Sequence, residues 1–289
     1  MGDTGILYLC ATPIGNLEDI TLRALRTLKE ADLVAAEDTR HTRKLFSHFE
    51  IHTPLTSYHE HNRRSKGQYL VEQLLEGKNI ALVTDAGLPG VSDPGVDLVA
   101  LAVSQGIRVV PIPGASASLA ALVVSGLPTE RFCFEGFLPS RGKDRRARLE
   151  DLKREDRTII FYESPYRLTD TLSDLARAFG NRQVCVAREI TKHFEEIWRS
   201  SLEEAVIKFK KQPPRGEITL VLEGAIILRS ELDEAEKKPL SHEDLALRVI
   251  VLEERGTPRK EAIKEISRQA GLPKREVYSA LLAKKNQEV

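Results

Sequence analysis

The sequence predicts an α/β protein with two α/β lobes, a ligand cleft between them, and a small carboxyl-terminal bundle of three helices. Up to about residue 112, short apolar runs alternate with amphipathic segments, which is typical of a mostly parallel sheet covered by helices. From there to about residue 228, some strand-like runs follow one another closely, as in a mixed sheet. After about residue 238 the pattern is helical throughout.

The amino-terminal lobe, predicted at residues 1–112, repeats a strand-helix unit. Its predicted strands cover residues 6–11, 33–36, 80–84 and 108–112. Its predicted helices cover residues 20–29, 39–49 and 96–104, and residues 69–75 form part of another. The Pro111-Ile112-Pro113-Gly114 segment interrupts this alternation, so we expect a hinge between the lobes here.

The second lobe, predicted at residues 113–228, has a different order of elements. Its predicted strands cover residues 132–137, 158–162, 183–188, 195–199 and 217–223. Its predicted helices cover residues 116–125, 145–154, 165–179 and 202–210. The strands at residues 183–188 and 195–199 are predicted as neighbours with a tight connection, which indicates a mixed sheet.

The carboxyl-terminal segment, predicted as a separate domain at residues 238–289, follows a charged linker at residues 228–238. Ser241 and Asp244 resemble a capping box before a helix at residues 245–254, which Gly256 ends. Thr257 and Pro258 predict the start of a second helix, and a third covers residues 273–284. The last two helices meet at Gly271, an arrangement that resembles a helix-turn-helix.

Composition excludes several classes of partner. Lys and Arg number 43, as do Asp and Glu, so a polyanion could be met only by a local patch. Cys10, Cys133 and Cys185 are widely spaced and form no CxxC pair, which indicates reduced packing thiols and no metal site. No apolar run approaches the roughly 18 residues of a membrane span. We therefore expect a cytoplasmic protein without a signal peptide or a membrane partner.

The segment at residues 84–95 is the most informative in the chain. It follows the apolar run at residues 80–83 and holds three glycines, two prolines and two aspartates. Glycine permits close backbone approach, proline fixes φ, and aspartate offers an acceptor. Ligands bind beyond the carboxyl ends of strands in open α/β sheets, so we interpret this segment as a ligand loop.

Six segments occur in a recognisable order, at residues 11–21, 36–43, 85–95, 112–117, 162–168 and 215–221. Together they resemble the tetrapyrrole methylase superfamily, the class III methyltransferases. Residues 36–43, residues 161–167 and the helical tail are similar to the branch that methylates a cytidine 2′-hydroxyl in small-subunit ribosomal RNA. Pro13 stands where many superfamily members have glycine, which favours this RNA branch over tetrapyrrole substrates.

The resemblance implies S-adenosylmethionine as the cofactor, a homodimer, and small-subunit ribosomal RNA or the 30S subunit as partner. By the resemblance, Ile14 lines the adenosine end of the cofactor, and the loop residues Asp85 and Leu88 meet its methionine portion. Gly87, in the same loop, is a further predicted cofactor contact. Ser116 and Ala117 contact it from the start of the second lobe. The remaining predicted contacts, which close the binding site, are Leu168 and Ile218.

Transfer of a methyl group to a ribose hydroxyl needs a base, or a cation that stabilises the alkoxide. Candidates for this role lie just after the second predicted strand and in a later segment that contains two histidines. They are Glu37, Asp38, Arg40, His41 and His59, and the sequence does not distinguish among them. His59 and His61 are two residues apart, which is poor spacing for a metal on a helix face. A solvated polar loop explains this second cluster about equally well.

Local basic clusters are the expected footprint of RNA phosphates in a neutral protein. The candidate contacts are Arg40, Arg43, Arg63, Arg64, Arg141, Lys143, Arg145 and Arg146. Any single run could instead be a solvated helix face. The carboxyl-terminal helices, also rich in Lys and Arg, could grip RNA or serve dimerisation.

Two other functions stay open at this level. A tetrapyrrole methyltransferase of the precorrin type would share the fold but would need a broad apolar trough. A nucleic-acid-binding regulator would use the carboxyl-terminal helices to bind DNA and the cleft to sense a ligand. Methyl-transfer assays with RNA and with a macrocycle would separate the three.

Overall fold

The computed structural model describes residues 4–225, 242–254, 257–270 and 272–285. By its internal contacts the chain divides into two units, Met1–Ala225 and Ile226–Val289. Among the described residues, the first unit holds two five-stranded sheets and the second holds three helices.

The first sheet is entirely parallel, in the order β3-β2-β4-β1-β5. Its strands are β1 (Ile6–Cys10), β2 (Leu33–Ala36), β3 (Leu55–Ser57), β4 (Ile80–Val83) and β5 (Arg108–Ile112). Its helices are α1 (Leu22–Glu30), α2 (Thr39–His48), α3 (Arg63–Leu75) and α4 (Gly95–Ser104), with a short 3₁₀ helix at Leu17–Asp19. The four predicted strands are confirmed within one residue at each end, whereas β3 was not predicted because it is three residues long and partly polar.

Both faces of this sheet are buried, as the alternation of its strands requires. On β4, Ile80 and Leu82 pack on one side with residues of α3 and α4, including Leu70 and Leu98. Ala81 and Val83 pack on the other side with residues of α1 and α2. The carboxyl ends of β1, β2 and β4 therefore open at one edge, which is free to hold a ligand.

The second sheet is mixed, in the order β6-β7-β10-β8-β9. Its strands are β6 (Phe132–Phe137), β7 (Thr158–Glu163), β8 (Gln183–Arg188), β9 (Glu196–Ser201) and β10 (Ile218–Leu222). Only β6 and β7 pair in parallel, while β10 is antiparallel to β7 and β8, and β9 is antiparallel to β8. The predicted mixed sheet, with its tight link between β8 and β9, is confirmed.

Helices cover both faces of the second sheet. Helix α5 (Ala117–Ser125) packs on one face through Ala121 and Leu122. Helices α6 (Gly142–Leu152), α7 (Leu168–Phe179) and α8 (Leu202–Lys211) contribute to the larger core on the other face. Burial raises the pKa of the Cys10 thiol to about 12 and also raises the pKa of the Cys185 thiol, as expected for packing residues.

The second unit is a bundle of α9 (His242–Glu254), α10 (Arg259–Ala270) and α11 (Lys274–Lys285). Its core includes Leu245, Val249, Ile266, Val277 and Leu281, so the predicted three-helix bundle is confirmed. The predicted linker at 228–238, the Ser241 cap, and the stops at Gly256 and Gly271 lie outside the described residues. None of the helices given above combines the length and apolar character that a membrane crossing requires.

Candidate active site

A cleft of about 770 Å³ lies between the two sheets of the first unit. One wall comes from Ile14 after β1, from residues 86–88 after β4, and from residues 116–119 at the start of α5. The other wall comes from the ends of β6, β7, β8 and β10. Its volume lies in the upper part of the roughly 300–1,000 Å³ range of small-molecule sites.

The loop after β4 is held in place by hydrogen bonds to Thr12 and within the loop itself. The Gly87 N–H donates to the Thr12 carbonyl at 3.1 Å, and the Thr12 N–H donates to the Gly87 carbonyl at 2.9 Å. Gly87 has φ of +86°, a left-handed conformation that glycine adopts without strain. The Asp93 carboxylate accepts from the N–H groups of Gly90 and Gly95 at 2.9 and 2.7 Å. The loop is therefore fixed before any ligand binds.

The amino terminus of α5 faces the same cleft. Ser116 is the residue before the helix, and its side chain makes no capping hydrogen bond. The first N–H groups of α5 thus have no side-chain acceptor, which leaves donors for an anionic group. Just before them, a Cβ on Gly114 would lie 2.8 Å from the Cβ of Ala11, so only glycine lets the chain pass β1 here.

Two carboxylates are the only charged side chains among the described residues that line the cleft, and no Lys or Arg is among them. Glu163 ends β7 with its side chain only 1% exposed. It accepts hydrogen bonds from the Thr171 hydroxyl and the Ser164 N–H, and the Arg167 guanidinium lies 3.5 Å away. Glu217, before β10, is exposed and contacts Lys192 at 3.1 Å. Both carboxylates already face a cation from outside the lining, and the lining itself holds no Lys or Arg that would repel a positively charged ligand.

Most residues that the resemblance assigned to the cofactor share this cleft. Those that line it are Ile14, Gly87, Leu88, Ser116, Ala117 and Ile218. Two others do not. Leu168 is fully buried in the second-lobe core, because α7 begins there with its apolar side on the sheet. Asp85 directs its carboxylate away, accepting from the Asp38 N–H at 3.0 Å.

The predicted base candidates mostly converge at the carboxyl ends of β2 and β4. The Glu37 carboxylate accepts from the Thr84 hydroxyl at 2.6 Å, and the His41 Nδ1 lies 3.9 Å from the Asp85 carboxylate. Asp38 caps α2 and pairs with Arg40 at 2.6 Å, which holds the pKa of the Asp38 carboxyl well below its usual range.

His59 lies apart from this group, after β3 at the next position along the sheet edge. Its Nδ1 is buried without a hydrogen-bond partner among the described residues. No three His, Cys, Asp or Glu side chains of the described residues are grouped as a metal site would require.

Burial, and secondarily the charge of Glu37, raise the pKa of Asp85 above its ordinary value. Because folding favours the protonated form, ionisation of Asp85 lowers stability as the pH rises through this raised pKa. We expect Asp85→Asn to unfold at a higher temperature than the wild type at pH 8. The difference should shrink as the pH falls below about 4, where Asp85 is protonated even when unfolded. Thermal unfolding at the two pH values measures this, and a more stable wild type at pH 8 would contradict it.

The basic residues predicted to contact RNA differ in how they are held. Arg40 pairs with Asp38, and Arg63 pairs with Glu60 and Asp97. Arg43, Arg64, Arg141, Lys143 and Arg146 are exposed, and no described residue forms an ion pair with any of them.

Arg145 was predicted as an RNA contact, and its burial argues against that assignment. The side chain is only 8% exposed. It donates to the Asp174 carboxylate at 2.8 Å, to the Thr171 hydroxyl at 3.0 Å and to the Pro139 carbonyl at 3.0 Å. The N–H donors of the Arg145 guanidinium are thus bound to other groups of the protein. The sequence did not indicate this, because Arg145 lies within a run of basic residues.

The lining residues that were not predicted as site residues include Ile190, Glu217 and Glu163. Ile190 lies in the β8–β9 link, between Glu189 and Thr191, which both have positive φ. No local sequence signal marks that conformation. Glu163 lies inside the family-like segment at residues 162–168, and the sequence alone does not distinguish a helix start there from a functional role.

Comparison with known proteins agrees with this geometry. The family model for tetrapyrrole (corrin/porphyrin) methylases matches residues 6–206. The chain is 50% identical to a ribosomal RNA small subunit methyltransferase I from Halalkalibacterium halodurans, over 96% of this chain and 94% of that relative. It is 48% identical to the protein of the same name from Bacillus subtilis, with the same coverage.

Solved structures share the fold at lower identity. One is uroporphyrin-III C-methyl transferase from Thermus thermophilus, complexed with S-adenosyl homocysteine. It matches with a TM-score of 0.55 and 22% identity, over 76% of this chain and 97% of that one. The predicted resemblance is confirmed: this chain belongs to the tetrapyrrole (corrin/porphyrin) methylase family.

Proposed function

We propose that this protein transfers the methyl group of S-adenosylmethionine to the ribose 2′-hydroxyl of a cytidine in small-subunit ribosomal RNA. The observation that carries the proposal is the cleft with its fixed glycine loop, its uncapped helix terminus and its two carboxylates. The relatives at 48–50% identity, named as small-subunit ribosomal RNA methyltransferases, support the substrate class.

The residues present fit the proposed donor. A lining without Lys or Arg does not repel the sulfonium and ammonium groups, and the exposed Glu217 offers them a carboxylate. The donor's own carboxylate matches the free N–H groups at the start of α5. Ile14 and Ile218 offer apolar surface for adenosine. A macrocycle such as uroporphyrin carries several carboxylates, and a lining without Lys or Arg gives them no partner, which weighs against the tetrapyrrole alternative.

The donor, when bound, supplies a methyl carbon activated by a positively charged sulfur. The chain must align the attacking hydroxyl oxygen with that carbon, exclude water, and accept the hydroxyl proton. The group at the ends of β2 and β4 supplies acceptors for the proton, with Glu37 and His41 as candidates and His59 further along the edge. Asp38 is a weak base here, because Arg40 binds its carboxylate and lowers its pKa. The nearby Arg40 supplies a cation.

A phosphate backbone needs cations that are not already paired. In this proposal the RNA is therefore bound by the exposed basic residues Arg43, Arg64, Arg141, Lys143 and Arg146. The proposed homodimer finds support in the exposed apolar side chains of α5, where Leu119 is 49% and Val123 is 71% exposed. The proposed site of action is the cytoplasm, where ribosomal subunits are found.

The test is methyl transfer from labelled S-adenosylmethionine to three acceptors: assembled small ribosomal subunits, free small-subunit RNA, and a precorrin-type macrocycle. We expect label in a cytidine ribose of the RNA, located by nuclease digestion and mass spectrometry. Label in the macrocycle would contradict the RNA assignment. Absence of label from every acceptor would contradict methyl transfer altogether.

A further inference from the structure

A β-bulge in β6 turns an additional aromatic ring into the cleft. Phe134 pairs with Ile160 of β7, and Gly136 pairs with the next residue, Phe161. Glu135 is therefore an extra residue in β6. Side chains three positions apart on a regular strand point to opposite faces, and one extra residue brings them to the same face.

Phe134 and Phe137 accordingly share one face with Tyr162, and all three line the cleft. The ring of Phe134 lies 4.9 Å from that of Tyr162, and the ring of Phe137 lies 5.8 Å from it, between centroids. Together they form an aromatic wall on the second-lobe side.

Two features support the bulge: the glycine that the site requires and an ion pair on the extra residue. Gly136 has φ of +61°, and a Cβ at this position would lie 3.1 Å from the Ser92 hydroxyl of the β4 loop. The Glu135 carboxylate, 11% exposed, pairs with Arg148 of α6. The backbone bulge that directs Phe137 into the cleft is thus supported at both of its residues.

Phe137 remains 55% exposed, whereas Phe134 and Tyr162 are half-buried. The outermost ring of the wall therefore keeps much of its surface in water, although the bulge directs it into the cleft. Sequence-specific proteins splay out the bases of single-stranded RNA and stack them on exposed aromatic rings. An exposed phenylalanine at the mouth of a methyl-transfer cleft fits that role.

Unpaired cations lie just beyond Phe137 in the chain. Arg141, Lys143 and Arg146 are exposed around the first turn of α6, where the helix dipole already disfavours positive charge. Arg141 and Arg146 also line a groove of about 720 Å³ between α6 and α7. In the groove Arg145 and Arg167 are fixed by internal bonds, which leaves the outer cations for an anion.

We propose that the Phe137 ring stacks on the nucleobase whose ribose is methylated, while Arg141, Lys143 and Arg146 hold neighbouring phosphates of the RNA. This inference rests on the proposed function and adds the place where the target nucleotide binds. It separates an aromatic contact for the base from the surfaces that hold the methyl donor.

The central experiment compares Phe137→Leu with Phe137→Trp in the full chain. Stacking of a base on an aromatic ring typically contributes about 5- to 150-fold in affinity. We expect Phe137→Leu to raise the KM for RNA by roughly 10-fold or more, and Phe137→Trp to restore it. The dissociation constant of S-adenosylmethionine, measured by calorimetry, should stay within about 2-fold of the wild type.

Phe132→Leu is the matched control. Phe132 lies on the same strand and is 39% exposed, but it is not among the residues that line the cleft. It should leave the KM for RNA unchanged. Thermal unfolding of all variants checks that the fold is retained.

The outcomes distinguish a failure of the stacking role from a failure of the proposed function. If the wild type methylates RNA and Phe137→Leu does so with an unchanged KM, the stacking role is wrong while the proposed function stands. If Phe137→Leu weakens donor binding as much as RNA binding, the ring serves the donor and the inference is wrong. If the wild type transfers no methyl group to RNA, the proposed function itself fails.

The phosphate contacts have an independent readout. Combined replacement of Arg141, Lys143 and Arg146 with alanine should reduce the slope of log affinity against log salt by about 2, since each lost phosphate contact reduces it by 0.7 to 0.9. An unchanged slope would overturn this half of the proposal. Phe137→Leu should leave the slope unchanged, because stacking releases no counterions.

Discussion

Replacement of Gly87 with leucine is expected to weaken the binding of S-adenosylmethionine by at least about 100-fold, equivalent to roughly 2.7 kcal/mol. Gly87 lines the cleft, and a Cβ on it would lie 3.5 Å from the Ile14 side chain and from the Ala115 carbonyl. The remaining atoms of a leucine would fill space that the donor needs. The measurement is calorimetric titration of the donor into each purified variant.

Gly90→Leu is the control that separates occupied space from backbone strain. Gly90 has φ of +91°, close to the +86° of Gly87, so both substitutions carry a similar cost of about 1–2 kcal/mol in the left-handed region. A Cβ on Gly90, however, meets nothing within 4 Å. We expect Gly90→Leu to bind the donor within about 3-fold of the wild type, well below the tenfold change that 1.4 kcal/mol would give. Equal loss in the two variants would show that loop strain, and not the cleft, controls binding.

Replacement of Arg145 with methionine is expected to lower the free energy of unfolding by about 2–4 kcal/mol. The substitution removes three hydrogen bonds from a side chain that is only 8% exposed. It also leaves the Asp174 carboxylate, 27% exposed, without its strongest partner. For a unit of this size the unfolding midpoint should fall by roughly 5–12 °C.

Arg146→Met provides the comparison, since Arg146 adjoins Arg145 on α6 but is exposed. It should change the midpoint by less than about 2 °C. The effect on RNA binding should be the reverse of the effect on stability. Arg146→Met should reduce the salt dependence of RNA affinity, and Arg145→Met should not. If Arg145→Met reduces the salt dependence without loss of stability, the original prediction that Arg145 binds RNA is correct and its structural interpretation is wrong.

Features that depend on neighbouring residues in the chain could be predicted from the sequence. Alternating apolar runs located four of the five strands of the first sheet, and the short link after Arg188 indicated neighbouring strands in the second, which pair antiparallel in the structure. The glycines and prolines of residues 84–95 indicated a constrained loop at a sheet edge, where the structure has the cleft. Strand β3 was not predicted, because three residues, two of which carry hydroxyl groups, are too few to show an alternation of apolar and polar side chains.

Features that depend on tertiary partners could not be predicted. Arg145 and Arg146 are adjacent bases in the sequence, and only the packing of α6 on α7 makes one a buried structural residue and the other a surface cation. Leu168 belongs to a family-like segment, yet the start of α7 directs it into the core. The bulge at Glu135 breaks the period of two without a local signal other than Gly136.

The most direct test of the central claim is a crystal structure of the protein grown with S-adenosyl homocysteine. The density should lie between residues 86–88 and the first turn of α5, with the ligand carboxylate near the N–H groups that follow Ser116. A ligand in the groove between α6 and α7, or no uptake of the ligand at concentrations that saturate a methyltransferase, would contradict the claim that this cleft holds the donor.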